Sequence, residues 1–323
     1  MSTSGARPGR AARRRARRRP APLPQREGLD PVRWAVPPAA ATAGALAALR
    51  ERFPALADPA AIPLRERFAR GEIVDAEGRP WTADEPVGPG HELWFHRELR
   101  PEHVPEVDLD VLHRDEHLLV LDKPHDMATM PRGAHVLASA LVRLRRSTGI
   151  ETLVPLHRLD RRTAGVLAFG IRPEERSAYQ QLFARGEVEK EYEARVRPGA
   201  GARIPTTVGE RVVLRDRLGR HHGQLTAQVL AGEPNAVTTL EVITVEEDGI
   251  LVLRLRPRTG RTHQLRLQLS SRGVPILGED LYPQPVECPP MPLQLLARSL
   301  ALTDPVTGAE HRFLSTRALG GPR

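Results

Sequence analysis

Residues 236–260, AVTTLEVITVEEDGILVLRLRPRTG, constrain the fold more than any other stretch. Apolar and polar residues alternate on both sides of a short break at Glu247-Asp248-Gly249. Alternation at period two turns one face of each strand inward. A break this short brings the second strand back antiparallel beside the first. At least part of the core is therefore built on hairpins. No glycine-rich phosphate loop of either common kind is present, so a parallel, doubly wound order is not indicated.

The remaining periodicities give a mixed order. VLHRDEHLLVLDKP (111–124) reads as a turn and a strand stopped by Pro124. HVLASALVRLRRS (135–147) has helical spacing, GVLAFG (165–170) is a short buried strand, and RPEERSAYQQLFARGEV (172–188) is an amphipathic helix ending near Gly186. EYEARV (191–196) alternates as a strand, and THQLRLQLSSRG (262–273) reads as a helix closed by glycine. Ahead of these, residues 42–54 predict a helix. Residues 62–81 predict a short helix and then a hairpin around Glu77-Gly78, and residues 87–99 a turn and a strand. The fold class is α+β. The expected division is an arginine-rich disordered arm over 1–30, a small module over 31–100 and a main domain over 101–323, the last opening on a linker-like stretch at 101–108.

Charge is unevenly spread. The net charge of +8 rests on nine arginines between Arg7 and Arg26, with no acid before Glu27. Without them the chain is close to neutral, so an electropositive face on the body has to come from arrangement rather than bulk charge. The arm could sit on phosphates, or serve only as a solubilising tail. Arg65, Arg67 and Arg70 in the small module are candidates for RNA contact or for a solvated helix face. Cys288 is the single cysteine, which excludes an intrachain disulfide and a cysteine-based zinc cluster and fits a reducing cytoplasm. Neither an HExxH nor a convincing histidine–acid grouping suggests a metal; His221-His222 reads as an exposed pair. No apolar run is long enough to span a membrane.

Three clusters could carry chemistry. Asp160 lies among Arg158, Arg161 and Arg162 just before a buried strand. An aspartate among arginines is first of all a salt-bridging loop residue. The same setting would keep a reacting carboxylate ionised, as a nucleophile, a base or a ligand. Tyr192, in VEKEYEARV, is a sheet residue whose hydroxyl could act as a positioned donor or base, with Lys190 two residues away on the same face. In TGRTHQLRLQL (259–269), a helix starting near Thr262 would put Arg261 at an end that favours anions, and Arg261 and Arg266 could face a phosphate or Asp160. His157 reads as a loop-ordering residue.

Together the three clusters resemble the RluA-type pseudouridine synthases. HRLDRRTAG (157–165) matches the family's HRLDRxTSG, KEYEA (190–194) its K-x-Y-x-A, and TGRTHQLR (259–266) its TGRxHQLR. DEHLLVLDKP (115–124), GVPILGEDLY (273–282) and LTDP (302–305) match further segments in the expected order, so the resemblance spans about residues 107–315. It departs from the family at Ala164, Gln268, Glu279 and Leu296.

The resemblance implies a pseudouridine synthase fold: a mixed, mainly antiparallel central sheet with flanking helices, preceded over 62–99 by a degraded S4-like module. It implies isomerisation of uridines in structured RNA, without metal or cofactor. Asp160 would be the essential carboxylate, Arg261 its ionic partner, and Tyr192 would pack beneath the uracil. Arg158, Arg162, Lys190, His263 and Arg266 would contact RNA, with Arg158 and Arg162 on phosphates. The arm and the module favour ribosomal over transfer RNA, and a monomer is expected. The rivals are a catalytically inactive RNA-binding protein of the same fold and a hydrolase using Asp160 and a histidine.

Overall fold

The computed structural model describes residues 20–37, 43–58, 61–133, 135–220, 224 and 226–320. Most of the arginine-rich arm and the His221-His222 pair lie outside the described residues. The chain divides into two compact units between Pro101 and Glu102.

In the first unit, β1 (Val32–Ala35), β2 (Ala43–Gly44), α1 (Ala45–Arg52), α2 (Leu64–Ala69), β3 (Pro86–Val87) and β4 (Glu92–Phe95) follow in order. β1 pairs antiparallel with β4, and β2 with β3. Trp34, Leu49, Phe68, Ile73, Trp81 and Leu93 are buried together as the core. The hairpin expected around Glu77-Gly78 is reduced to a turn. Asp75 Oδ1 accepts from the Glu77 and Arg79 amides at 3.0 and 2.8 Å. Only an isolated bridge joins Val74 to Pro80, because proline has no N–H with which to extend a ladder. Arg67 is not available to RNA. It sits three residues from Leu64 and next to Phe68, on the buried side of α2, and donates to Glu72 at 2.9 Å and to the His96 carbonyl at 2.7 Å.

The second unit is built on one eleven-stranded sheet. Its elements are β5 (Asp110–Arg114), β6 (Leu118–Lys123), α3 (Ala140–Thr148), β7 (Val154–Pro155), β8 (Ala164–Gly170), α4 (Arg176–Arg185), β9 (Glu189–Val196), β10 (Arg211–Gly219), β11 (Gln228–Leu230), β12 (Ala236–Val245), β13 (Leu251–Pro257), α5 (Gln264–Ser270), β14 (Leu295–Thr303) and β15 (Glu310–Leu314). The strand order is β11-β10-β12-β13-β9-β14-β8-β6-β5, with β15 beside β14 and β7 beside β8. Among the described residues only the β8–β14 pairing of this sheet is parallel. The architecture is thus the expected mixed, mainly antiparallel sheet with flanking helices.

The β12–β13 hairpin closes where the sequence predicts. Glu246 and Ile250 bond at 2.8 Å across a turn in which Gly249 has φ +78°, a conformation costly for a side-chain-bearing residue. Every residue of β6 and β8 is buried, as fits strands covered on both faces. Leu119, Leu121, Leu167 and Phe169 pack on one side with Leu141 and Leu144 of α3. Leu118, Val120, Val166 and Ala168 pack on the other with Tyr179 of α4. At Gly165 β8 and β14 approach so closely that a Cβ would stand 2.2 Å from the Ala297 carbonyl oxygen.

Several helices start later than predicted, and for two of them the structure gives the cause. α3 begins at Ala140 because the Glu102 carboxylate takes the amides of Val136, Leu137 and Ala138 at 2.7–3.1 Å, bending those residues into a loop around an anion. α5 begins at Gln264 because His263 is left-handed, with φ +52°. Among the described residues no helix is long and apolar enough to cross a membrane.

Candidate active site

Asp160 stands in the loop between β7 and β8, and that loop is fixed from several directions. Leu156 N–H bonds the Ala168 carbonyl at 2.9 Å, and Ala168 N–H returns to His157 Nε2 at 3.1 Å. Thr129 Oγ1 donates to the Leu159 carbonyl at 2.8 Å and accepts from the Leu159 amide at 3.2 Å. Lys123 Nζ reaches the Arg161 carbonyl at 3.1 Å, and His125 Nδ1 donates to that of Arg162 at 2.8 Å. The Thr163 amide closes a turn on the Asp160 carbonyl at 3.0 Å. The Asp160 side chain itself stays 26% exposed and opens into a cleft of about 730 Å³.

Burial shapes the bases around it. His157 stacks on Phe183 with ring centroids 4.9 Å apart, and burial, helped by the charge of Lys190, pushes its pKa down to about 3. It is a neutral acceptor that orders the loop. Burial pushes Lys123 down to about 7, against the pull of the Asp160 and Asp126 carboxylates. Its ammonium also donates to the Pro124 and Met127 carbonyls at 2.9 and 2.8 Å.

Tyr192 lines the cleft from β9. Burial, and then the Asp160 charge, raise its phenol above the ordinary range. Since β9 begins at Glu189, Lys190 shares its face and lines the same cleft, with Nζ 3.5 Å from the Thr259 carbonyl. Burial holds Lys190 below the usual lysine pKa.

The arginines divide differently from the sequence-based expectation. Arg261 does not pair with Asp160. It is exposed on the cleft, its Nε donating to the Asn235 carbonyl at 3.1 Å while its amide bonds Gln264 Oε1 at 3.1 Å. The later start of α5 turns Arg261 outward and brings His263 to Asp160, with Nε2 3.9 Å from Oδ1. Arg266, expected on RNA, is buried beneath the cleft. Its Nε donates to Glu279 Oε2 at 2.8 Å, and a second nitrogen bonds both Glu279 and Asp280. Burial works against its charge, but Glu279, and after it Asp160 and Asp280, hold its pKa above the ordinary value.

Arg162, expected on a phosphate, is also interior. It donates to the Gly278 and Met291 carbonyls at 2.7 and 3.1 Å and pairs with Asp280 at 3.3 Å. These contacts explain its burial: a guanidinium that pins Gly278 and Met291 against the Asp160 turn is not free to reach solvent. Arg158 is exposed and lines the cleft. Arg161 is exposed and pairs with Asp126 at 3.0 Å.

Two of the departures from the family pattern belong to the same scaffold. Glu279 is the bidentate partner of Arg266. Gln268 is fully buried, accepting from Thr238 Oγ1 at 2.7 Å and donating to Asp216 at 2.8 Å. Lys123 and Tyr282 were not read as site residues. The only available signals were the rarity of lysine and the position of tyrosine in GVPILGEDLY. Among the described residues no group of three or more His, Cys, Asp or Glu side chains is gathered as metal ligands would be.

The RNA pseudouridylate synthase family matches residues 117–271, which hold Asp160, Tyr192 and most of the cleft. The dual-specificity RNA pseudouridine synthase RluA of Haemophilus influenzae is 31% identical over 209 residues, covering 64% of this chain and 91% of that one. Its counterpart from Pasteurella multocida is 30% identical, covering 62% and 89%. The solved structure of human RNA pseudouridylate synthase domain containing 1 aligns with a TM-score of 0.53 at 23% identity, over 68% of this chain and 86% of that one, a likeness of fold. The order and spacing of HRLDRRTAG, KEYEA and TGRTHQLR, the sheet that gathers them on one cleft, and these relatives lead to one assignment: the chain belongs to the RluA-type RNA pseudouridine synthase family.

Proposed function

We propose that this protein converts specific uridines of ribosomal or transfer RNA to pseudouridine, with Asp160 as the reacting carboxylate. The observation that carries the reading is the Asp160 side chain, partly exposed on a rigid loop and facing a cleft that Tyr192 and Lys190 share. The reaction breaks the N1–C1′ bond, turns the uracil and forms a C5–C1′ bond. C5 loses a proton and N1 gains one, so composition and oxidation state are unchanged. No redox partner is required, and we propose that no metal takes part.

A carboxylate at this place can open the reaction by attack on C1′, by attack on C6, or by taking the C2′ proton. Tyr192 lines the cleft, where it can pack beneath a uracil, and burial together with the Asp160 charge keeps it a protonated phenol, a hydrogen-bond donor rather than a base. The uridine has to leave its stack to enter, at a cost of a few kcal/mol that is smallest in loops. Arg158 and Arg261, exposed on the same cleft, are the arginines we assign to flanking phosphates.

The name of the H. influenzae relative includes dual specificity. We favour ribosomal RNA here because nine arginines precede Glu27 and because we read the unit before Glu102 as an S4-like RNA-binding module. Action as a monomer in the cytoplasm completes the proposal. The test is tritium release from 5-³H-uridine RNA, with unmodified ribosomal and transfer RNA offered separately and EDTA present. Release from ribosomal RNA supports the whole reading, and release from transfer RNA alone overturns the preference. No release from either, with tight binding of both, favours an inactive RNA-binding protein.

A further inference from the structure

Behind Asp160 a backbone amide and two side chains stand in line, a relay that the proposed reaction does not use. The amide of Ala227 donates to the Tyr282 hydroxyl at 2.8 Å. That hydroxyl lies 2.9 Å from His263 Nδ1, and the two rings meet edge to face at 5.7 Å. The other ring nitrogen, Nε2, lies 3.9 Å from Asp160 Oδ1. His263 is held there by a left-handed backbone at φ +52°, which β-carbon-bearing residues seldom adopt.

The chain of bonds determines where the imidazole proton sits. With its amide donor in place, the Tyr282 hydroxyl has its own proton left to give, and Nδ1 is the acceptor within reach. Nδ1 is then bare and Nε2 carries hydrogen toward the carboxylate. The opposite tautomer would strand the hydroxyl proton and set the Nε2 lone pair against a carboxylate oxygen. The doubly protonated ring is disfavoured as well. Burial and the nearby Arg266 guanidinium lower the His263 pKa, against the opposing pull of Asp160, Glu279 and Asp280.

We propose that His263 is a positioning residue for Asp160, presenting a neutral Nε2–H donor whose tautomer Tyr282 sets. This rests on Asp160 being the reacting carboxylate. At 3.9 Å the donor is beyond hydrogen-bond distance, so the contact tightens only when the cleft fills. It then restrains Oδ1 and leaves the second oxygen for the substrate. A neutral donor does this without the penalty of an imidazolium, which would pair with the carboxylate and weaken it as nucleophile or base.

The test has two arms on the full-length protein. Nitrogen-15 NMR of histidine-labelled protein, with the His263 signals assigned by their loss in His263→Gln, should report a bare Nδ1 and a protonated Nε2. In Tyr282→Phe the same ring should become a mixture of tautomers with a higher pKa, because Nδ1 has lost its donor. Single-turnover rates in that variant should fall about tenfold to a hundredfold, the worth of one hydrogen bond to a charged group, with RNA affinity within about twofold. The acidic limb of the pH–rate profile should move to higher pH.

A protonated Nδ1 in the unaltered protein overturns the proposal, and so does a Tyr282→Phe profile superimposable on that of the parent. The NMR arm needs no turnover. An inactive parent with the expected tautomer would therefore count against the proposed reaction and leave the relay standing.

Discussion

Glu279→Gln removes one negative charge from the buried network under the cleft, and its cost can be worked out from the contacts. Arg266 and Glu279 are each only 3% exposed in their side chains, whereas the surface pair Arg161–Asp126 is 41% and 43% exposed. The two positive charges of Arg162 and Arg266 are met in the interior by Glu279 and Asp280, with the exposed Asp126 carboxylate 3.7 Å from Arg162 Nε. Glu279 also accepts from the Asp280 and Leu281 amides at 3.2 and 2.9 Å. A glutamine offers one acceptor oxygen for this set of donors and turns an NH₂ toward groups that are themselves donors. The two buried guanidinium groups are then left to share Asp280 as their interior counter-charge.

Breaking a buried pair in this way costs about 3–5 kcal/mol, against about 0–1 kcal/mol for an exposed pair. With a urea m-value of about 2–3 kcal/mol/M for a unit of this size, the midpoint should fall by about 1–2.5 M. Arg161→Ala, measured beside it by the same urea melts, should move by no more than a few tenths of a molar. A Glu279→Gln shift as small as that of Arg161→Ala would refute the reasoning, since the network would then be no more than a surface ion pair in effect.

Further consequences are open to direct measurement. Two buried bases should make stability rise with pH. The unfolded chain binds the extra proton between about pH 10.5 and 7 for Lys123 and between about 6.5 and 3 for His157, so stability is lost as pH falls through each window. Thermal melts across pH should show both limbs, and Lys123→Met should flatten the alkaline one. Gly165→Ala should leave little soluble protein, because a Cβ 2.2 Å from the Ala297 carbonyl oxygen, at φ +109°, blocks the β8–β14 pairing; circular dichroism of any recovered fraction checks this. Arg261→Ala should weaken RNA binding and reduce the salt slope of log K by about 1 while the single-turnover rate holds, as fits a phosphate contact rather than a partner of Asp160.

The strands were the most legible part. β8 announces itself as an unbroken apolar run, and the β12–β13 hairpin by alternation around a glycine that has to take positive φ. What sequence periodicity could not carry were contacts made at a distance. Glu102 captures the amides of residues 136–138 from more than thirty residues away and so delays α3. Within TGRTHQLR, Arg261 and Arg266 are chemically alike. Only the partners Glu279 and Asp280, thirteen and fourteen residues beyond Arg266, decide that the second arginine is interior and the first is not. Arg162 was misread for the same reason, since its partners lie 116 and 129 residues downstream. Lys123 shows the limit from the other side: an apolar run that ends on a charged pair predicts the lysine's burial poorly, because a lysine enters a core only where backbone carbonyls wait for its ammonium.

The central claim is that the Asp160 carboxylate reacts. It is tested most directly by Asp160→Asn, which removes the charge and almost no volume, assayed by single-turnover tritium release from 5-³H-uridine RNA alongside equilibrium binding of the same RNA. The account predicts that release falls below detection while affinity stays within a few-fold of the unaltered protein. Release at the unaltered rate from Asp160→Asn would contradict it.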